Sequence, residues 1–344
     1  MKPWFRIIAG GADATNSFGS RGVSITYTDN SGHENDSVEF EVDDREPYLQ
    51  VPAKGTTIGL SIGYAFQSGA ESRYNGLQQY VGLFEVDETR FSHPPRKLAI
   101  RAHANNTGNT FKAHKDRDWD DKTIRDIVNQ IAGEHGMTPV VVGAIGDKKL
   151  EHIDQPNQSD MDFLTRLAKH HGGLLKVAEG KIVLAEEGQE LSIISGLGLG
   201  AQIVNEHECS SYEGVIQSRS DYDGAAMRWH DWDKAKETLE TEGDPAKALR
   251  TPYQMRTQDE AKDGAKSKKD KLDKETEQFS FTCVGNPMLV AETLVTLVGF
   301  RPGLRTAWRI KTATHKLSNS GYTTDCTCEL PNAGDKNAST TGRA

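Results

Sequence analysis

Hydrophobic positions recur at two spacings along this chain, and the spacing switches between them. In Ser37–Asp43, Val38, Phe40 and Val42 alternate with Glu39, Glu41 and Asp43. In Thr57–Tyr64, Ile58, Leu60, Ile62 and Tyr64 alternate with small or polar residues. A period of two buries one face of a sheet. Tyr80–Val86 and Lys97–His103 continue the pattern, with turn residues and the Pro94-Pro95 break between strands. MKPWFRIIAGG at the start is too short in its apolar part for a signal peptide and reads as a first strand.

The period then lengthens. Ile124, Ile127, Val128 and Ile131 form one helical stripe in Thr123–His135, which Gly136 ends. A second helix is predicted from Ser159, a good N-cap with Asp162 three residues on. Its apolar row is Met161, Leu164 and Ala168, and Gly172-Gly173 stops it. Leu174–Val177 and Lys181–Leu184 flank Glu179-Gly180 as a hairpin. EHGMTPVV follows the first helix and HHGGLLKV the second, a weak internal duplication within a small α+β unit. Residues 231–278 are half acids and bases, and Asp259–Gln278 carries only Ala261, Ala265 and Leu272 as apolar marks, which predicts a solvated helix. Alternation returns with Phe279, Phe281 and Cys283. Leu294–Phe300 reads as strand on its β-branched residues, and Trp308–Leu317 and Tyr322–Leu330 are strands. Tyr322, Thr324, Cys326, Cys328 and Leu330 are expected on one face.

Composition narrows the classes. The 344 residues allow two or three domains, with 35% hydrophobic and 26% charged residues. No apolar run reaches the length of a bilayer span. The net charge of −9 argues against tight, sequence-blind nucleic-acid binding, though not against a channel through which nucleic acid slides. Cys209, Cys283, Cys326 and Cys328 have no zinc-site spacing and are expected as reduced thiols. Cys326 and Cys328 point the same way at a Cα separation of about 6.5–7 Å, at the edge of disulfide geometry, so core packing is preferred over a redox pair.

The search for chemistry finds structural explanations first. GxxxxGK[ST], HExxH and GxSxG are absent. Gly196, Gly198 and Gly200 lack the third spaced glycine of a dinucleotide loop and read as a linker. His170 and His171 point about 100° apart on a helix, and the helix C-terminus favours a partly cationic imidazole there. His114 with Asp116, Asp118, Asp120 and Asp121 offers divalent-ion ligands, but an acidic lead-in to the next helix is preferred. Glu85 and Asp87 are a carboxylate pair with nothing to place them in a cleft. The expectation is no catalytic, cofactor-binding or metal-binding residue.

Several stretches in order resemble the late control gene D family, the tail hub proteins of contractile-tailed bacteriophages. They are GLFEVDETRFSHPPRKLAIRA (Gly82–Ala102), Trp119 followed by TIRDIVNQIAGEHGMTP, and HIDQPNQSDMDFLTRLAKHHGG (His152–Gly173) with KIVLAEEG behind it. GNP at Gly285–Pro287, VGF at Val298–Phe300 and WRIKTATHKLSNSGYTTD from Trp308 complete the set. Such hubs are also similar to the N-terminal half of type VI secretion spikes and occur in phage-tail-like bacteriocins. No β-helical repeat follows residue 330, so the resemblance implies a spike on a separate polypeptide.

The fold this implies is mainly β with α+β insertions: two tail-tube-like β-barrel domains, a small α+β domain and a charged helix, assembled as a trimeric ring. The expected division is 1–97 for the first barrel, 98–185 for the α+β domain and 186–230 with 279–330 for the second barrel. Residues 231–278 would be a charged helical insertion and 331–344 a flexible tail. The implied function is a non-enzymatic baseplate hub joining a sixfold tail tube to a threefold central spike, with DNA passing through its lumen. Implied partners are two further copies, the spike, the tube protein, other baseplate proteins and the tape measure protein. The site would be the tail baseplate of the virion, assembled in the host cytoplasm. The trimer would carry 3 × −9 = −27 formal charges, which suits passage of DNA without adhesion if enough acids line the lumen. The residues allow two other readings. The middle unit is similar in outline to peptidoglycan-binding LysM domains, which implies a module contacting cell wall or a baseplate partner. A cell-wall hydrolase would need a convergent acid pair.

Overall fold

A computed structural model describes residues 1–32, 34–69, 72–104, 111–178, 180–186, 201–216, 222–231, 235–274 and 276–331. Strands dominate. The first unit contains β1 (Pro3–Ala9), β2 (Ala12–Asp13), a short helix α1 (Thr15–Gly19), β3 (Ser24–Asn30), β4 (Ser37–Asp43), β5 (Thr57–Tyr64), β6 (Gln78–Ser92) and β7 (Lys97–Ala104). Alternation set the faces as expected: Val38, Phe40, Val42, Leu98, Ile100 and Ala102 are all buried in one core. Strand β7 pairs with both β4 and β6. The first sheet therefore runs to Ala104, and a domain boundary at residue 97 falls one strand too early.

The middle unit holds β8 (His114–Thr123), α2 (Ile124–Glu134), β9 (Thr138–Val142), β10 (Lys149–Ser159), α3 (Asp160–His170), β11 (Gly173–Ala178) and β12 (Lys181–Glu186). β8 and β10 form a two-stranded ribbon, and β11, β12 and β9 a small mixed sheet. The apolar stripes of both helices meet in one core, with Ile124, Ile127, Val128 and Ile131 of α2 against Phe163, Leu164 and Leu167 of α3. Thr123 caps α2: its hydroxyl accepts from the Asp126 amide at 3.1 Å, and the Asp126 carboxylate accepts from the Thr123 amide at 3.1 Å. Ser159 caps α3 as the sequence predicts, accepting from the Asp162 amide at 3.1 Å. Ser159→Ala is expected to cost about 1 kcal/mol, read as a lower urea midpoint. An unchanged midpoint would show that packing alone holds the start of α3.

The chain returns to sheet with β13 (Gln202–Asn205), β14 (Cys209–Ile216), β15 (Gly224–Asp231), β16 (Lys236–Gly243), β17 (Ala248–Met255), α4 (Gln258–Lys274), β18 (Glu277–Val284), β19 (Leu294–Val298), β20 (Ala307–Ser318) and β21 (Gly321–Glu329). The expected charged helical insertion over 231–278 is thus half strand. β15, β16 and β17 form their own three-stranded sheet, and the helix begins only at Gln258. Sequence masked this because β16, KETLETEG, has one apolar residue, Leu239, and that residue is exposed. The small sheet packs on α4 through Met227, Ala261 and Ala265, so almost no hydrophobic period was needed. β15 also leaves the second large β unit, to which residues 186–230 were assigned.

The two β-rich thirds are continuous. β3 of the first pairs with β20 of the second, giving a thirteen-stranded sheet whose main path is β14-β18-β21-β20-β3-β4-β7-β6-β5-β1-β2. Among the described residues this path is open, with β14 and β2 at its ends. Two cores lie along it. The second collects Phe279, Phe281, Trp308, Ile310, Cys326 and Cys328. All of Tyr322, Thr324, Cys326, Cys328 and Leu330 are buried, as their alternation predicts. Gly285 of the GNP motif has a packing reason: a Cβ there would sit 2.1 Å from the Tyr322 ring.

Candidate functional site

A cluster of buried charged groups lies where the units meet, and each is built from local elements. Lys176 is on β11 of the middle unit. Its ammonium donates to Asp29 Oδ1 at 2.8 Å, the Asn30 carbonyl at 3.1 Å and Asp36 Oδ1 at 3.2 Å. Asp29 is the next-to-last residue of β3, and its other oxygen accepts from the Ala291 amide at 2.9 Å, in the loop before β19. One buried cluster therefore ties together the middle unit and both halves of the large sheet. Burial works against the charge on Lys176, but Asp29 and Asp36 hold its pKa above the ordinary value. Burial also raises Asp29; the charge and hydrogen bond of Lys176, with the Ala291 amide, outweigh it and leave Asp29 below its ordinary value. Asp36 goes the other way. Burial, then the charge of Asp29, push it up to about 7. The cluster holds one ammonium, one carboxylate and a carboxyl that keeps its proton well above the usual carboxylate range.

A second network closes the middle unit. Asp160, with no exposed surface, starts α3. Its carboxylate accepts from Lys115 at 2.7 Å, from Gln155 at 2.9 Å and from Arg117, and contacts His135 Nε2 at 2.8 Å. Lys115 and Arg117 also bind Glu134 at the end of α2. Burial raises Asp160, but these hydrogen bonds and the Arg117 charge hold it down to about 2. The Arg117 guanidinium lies 4.6 Å from the Trp119 ring centre, and Trp119 stacks on Phe163. Glu134, His135 and Asp160 could offer three ligand atoms to a metal ion. Two carboxylates already face two cations there, so a divalent ion would have to displace both. The arrangement is an electrostatic lock between β8, α2 and α3.

A third link joins α4 to the middle unit. Asp263 accepts from Lys148 and lies 3.1 Å from His171 Nδ1. Burial opposes its charge, but both partners hold it down to about 2.

The residues singled out by sequence fall mostly outside these networks. His170 does not carry the cationic character expected of a helix C-terminus; burial, then His171, push it down to about 4, because desolvation exceeds the helix-end field. The acids of His114–Asp121 precede α2 but none of them is in its first turn. They lie on β8, where Asp120 and Asp154 flank His152 and raise its pKa through hydrogen bonds. The capping acid of α2 is Asp126 instead. Glu85 and Asp87 are on β6; Asp87 lies 3.1 Å from His103 Nε2. All four cysteines are free thiols, three of them buried. Gly196, Gly198 and Gly200 lie outside the described residues, as does the tail from residue 332.

Sequence reasoning missed Lys176, Asp29, Asp36, Lys115 and Arg117. A lysine amid LLKVA, otherwise apolar, was the one available signal.

The profile of a family described as "Phage tail baseplate hub (GPD)" matches residues 48–321. The probable baseplate hub protein of Escherichia phage 186 is 28% identical over 375 residues, covering 96% of this chain and 93% of that protein. The 43 kDa tail protein of prophage MuSo2 from Shewanella oneidensis has a similar fold. Its TM-score is 0.67 at 14% identity, over 96% of this chain and 99% of that one. A component of the type VI secretion system of E. coli, c3393, matches in fold at a TM-score of 0.52 and 11% identity. That match spans 92% of this chain and 74% of that one.

Proposed function

The chain belongs to the phage tail baseplate hub family, and from that premise we propose that three copies close into a ring joining a sixfold tail tube to a threefold spike. The observation that carries this reading is the doubled β core on one continuous sheet. Each half contributes a hairpin to the centre, β3–β4 from the first and β20–β21 from the second. We take these halves as two tube-like domains. Three chains then present six such domains, which matches a sixfold tube above and a threefold spike below. The open ends of the sheet favour the same reading. Among the described residues β14 has one unpaired edge and a mostly exposed face bearing Tyr212 and Ile216, and such an edge is a liability unless a neighbour covers it. A ring supplies that neighbour. The acidic balance suits a lumen that lets DNA pass.

Two observations weigh against the other readings. A glycan-binding middle unit needs exposed aromatic rings, but Phe111, Trp119 and Phe163 are buried. A hydrolase needs a carboxyl with a raised pKa in a cleft. Asp160 is shifted in the opposite direction, and the raised Asp36 is buried beneath the domain junction.

Light scattering on the purified chain, alone and mixed with a candidate spike protein, tests the ring. The expected mass is about 113 kDa, three times 37.8 kDa. A trimer seen only with the spike would mean templated assembly. A stable monomer under both conditions overturns the proposal.

A further inference from the structure

The chain is acidic, yet a cleft of about 810 Å³ at the meeting point of its units is basic. Arg166 and Lys169 of α3, Lys268, Lys271 and Lys274 of α4, and Arg309 and Lys311 of β20 line it. Its acids are Glu34, Asp162, Glu292 and Glu329. Seven cations against four acids give +3, so the rest of the chain carries −9 − 3 = −12. Internal pairing does not remove the excess. Lys274 meets Glu329 at 3.2 Å and Arg309 meets Glu292 at 3.7 Å. Asp162 is engaged with the Ser159 hydroxyl at 2.7 Å. Arg166 donates to the Asp154 carbonyl at 2.8 Å and to Gln158 at 3.2 Å. Lys169, Lys268, Lys271 and Lys311 make no ion pair among the described residues. Four lysines thus converge on one concavity from three elements, with Glu34 as the acid left to face them.

Holding like charges together costs free energy, which a bound anion recovers. The volume is within the ~300–1,000 Å³ of ligand clefts. Leu174 and Met227 add apolar surface. A continuous phosphate backbone would meet Glu34 and Asp162 in the same cleft, and beyond it a strongly acidic surface. A peptide can place carboxylates on the lysines, an aliphatic side chain near Met227 and its own amides beside the acids. We propose that this cleft is a docking site for an extended acidic segment of a partner protein, carrying aspartate or glutamate with an interspersed leucine-like residue. The proposal rests on the charge and shape of the cleft and does not depend on the ring.

Fluorescence anisotropy with a labelled acidic peptide, EDLEELD, tests it on the full chain. Binding is expected at low salt and should weaken by about tenfold or more between 50 and 300 mM salt. The triple variant K268E, K271E and K311E should lose about tenfold or more. A control triple, K2E, K54E and K112E, makes the same change in net charge outside the cleft and should bind as the wild type does. Thermal melting checks that both triples fold. If the cleft triple does not fold, wild-type binding of EDLEELD against the charge-mixed KDLKELD decides, with preference for the acidic peptide expected. Equal losses in both triples overturn the proposal. So does absence of wild-type binding, or a single-stranded oligonucleotide of equal charge binding as tightly as the peptide.

Discussion

Lys176→Met is expected to destabilise the chain by about 3–5 kcal/mol, the cost of removing one partner from a buried ion pair. The ammonium is enclosed by three oxygen acceptors, and burial of the Asp29 carboxylate is tolerated because Lys176 and the Ala291 amide both donate to it. Without the cation, that carboxylate is left buried with its charge uncompensated. The loss should appear in urea unfolding as a lower midpoint. The triple variant K176M, D29N and D36N should recover part of it, because a neutral, hydrogen-bonded set avoids desolvating charge. A K176M midpoint within error of the wild type would show that the junction admits water and that the cluster is not buried in solution.

The same cluster predicts a pH dependence with a definite sign. Asp36 binds its proton more tightly in the folded chain, about 7, than at its ordinary value of 3.8. Its stabilising contribution is complete below 3.8 and is lost as pH rises through 7. Asp36→Asn carries no such loss. The variant should therefore gain stability relative to the wild type between pH 4 and 7, by at most about 1.4 kcal/mol per pH unit, and level off above 7. A flat difference over that window would refute a protonated Asp36.

Asp160→Asn is the second large effect, again about 3–5 kcal/mol. The substitution leaves the shape intact but turns an amide NH2 toward Lys115, Arg117 or His135, all of which face the present carboxylate. It also removes a negative charge from the first turn of α3, where the helix dipole favours one. Asp160 is held low, at about 2, so its contribution is present above 3.8 and is lost as pH falls through 2. The gap between variant and wild type should close as the medium is acidified below pH 4. Amide hydrogen exchange over residues 114–170 checks the location, with faster exchange expected in β8 and α3. Unchanged exchange there would mean that the hydrophobic core of the middle unit suffices without the lock.

What could be read locally was read correctly where the signal repeats over a few residues. Val38, Phe40 and Val42 face a core because side chains alternate on a strand. Ser159 caps a helix because its hydroxyl reaches the amide three residues on. Both rules span only a handful of positions. The reading failed where little hydrophobic surface is buried. β16 offers one apolar residue, so its charges suggested a helix. The acids of β8 looked like a dipole complement because a strand with a charged outer face lacks a distinctive period.

One stretch that carries the family resemblance has a packing reason in this chain: Gly285 of GNP lies against the Tyr322 ring, where a side chain would not fit. Sequence by itself therefore determined the strands and helices with a clear period, the Ser159 cap of α3, the core-facing cysteines and the kinship to phage hubs. Only the tertiary structure decided that the two β thirds share one sheet, that Lys176 meets Asp29 across 147 positions, and that lysines from three elements line one cleft. The physical reason is range. Periodicity and capping are set by neighbours along the chain, whereas a buried ion pair or a charged concavity is defined by groups that only the folded topology brings together.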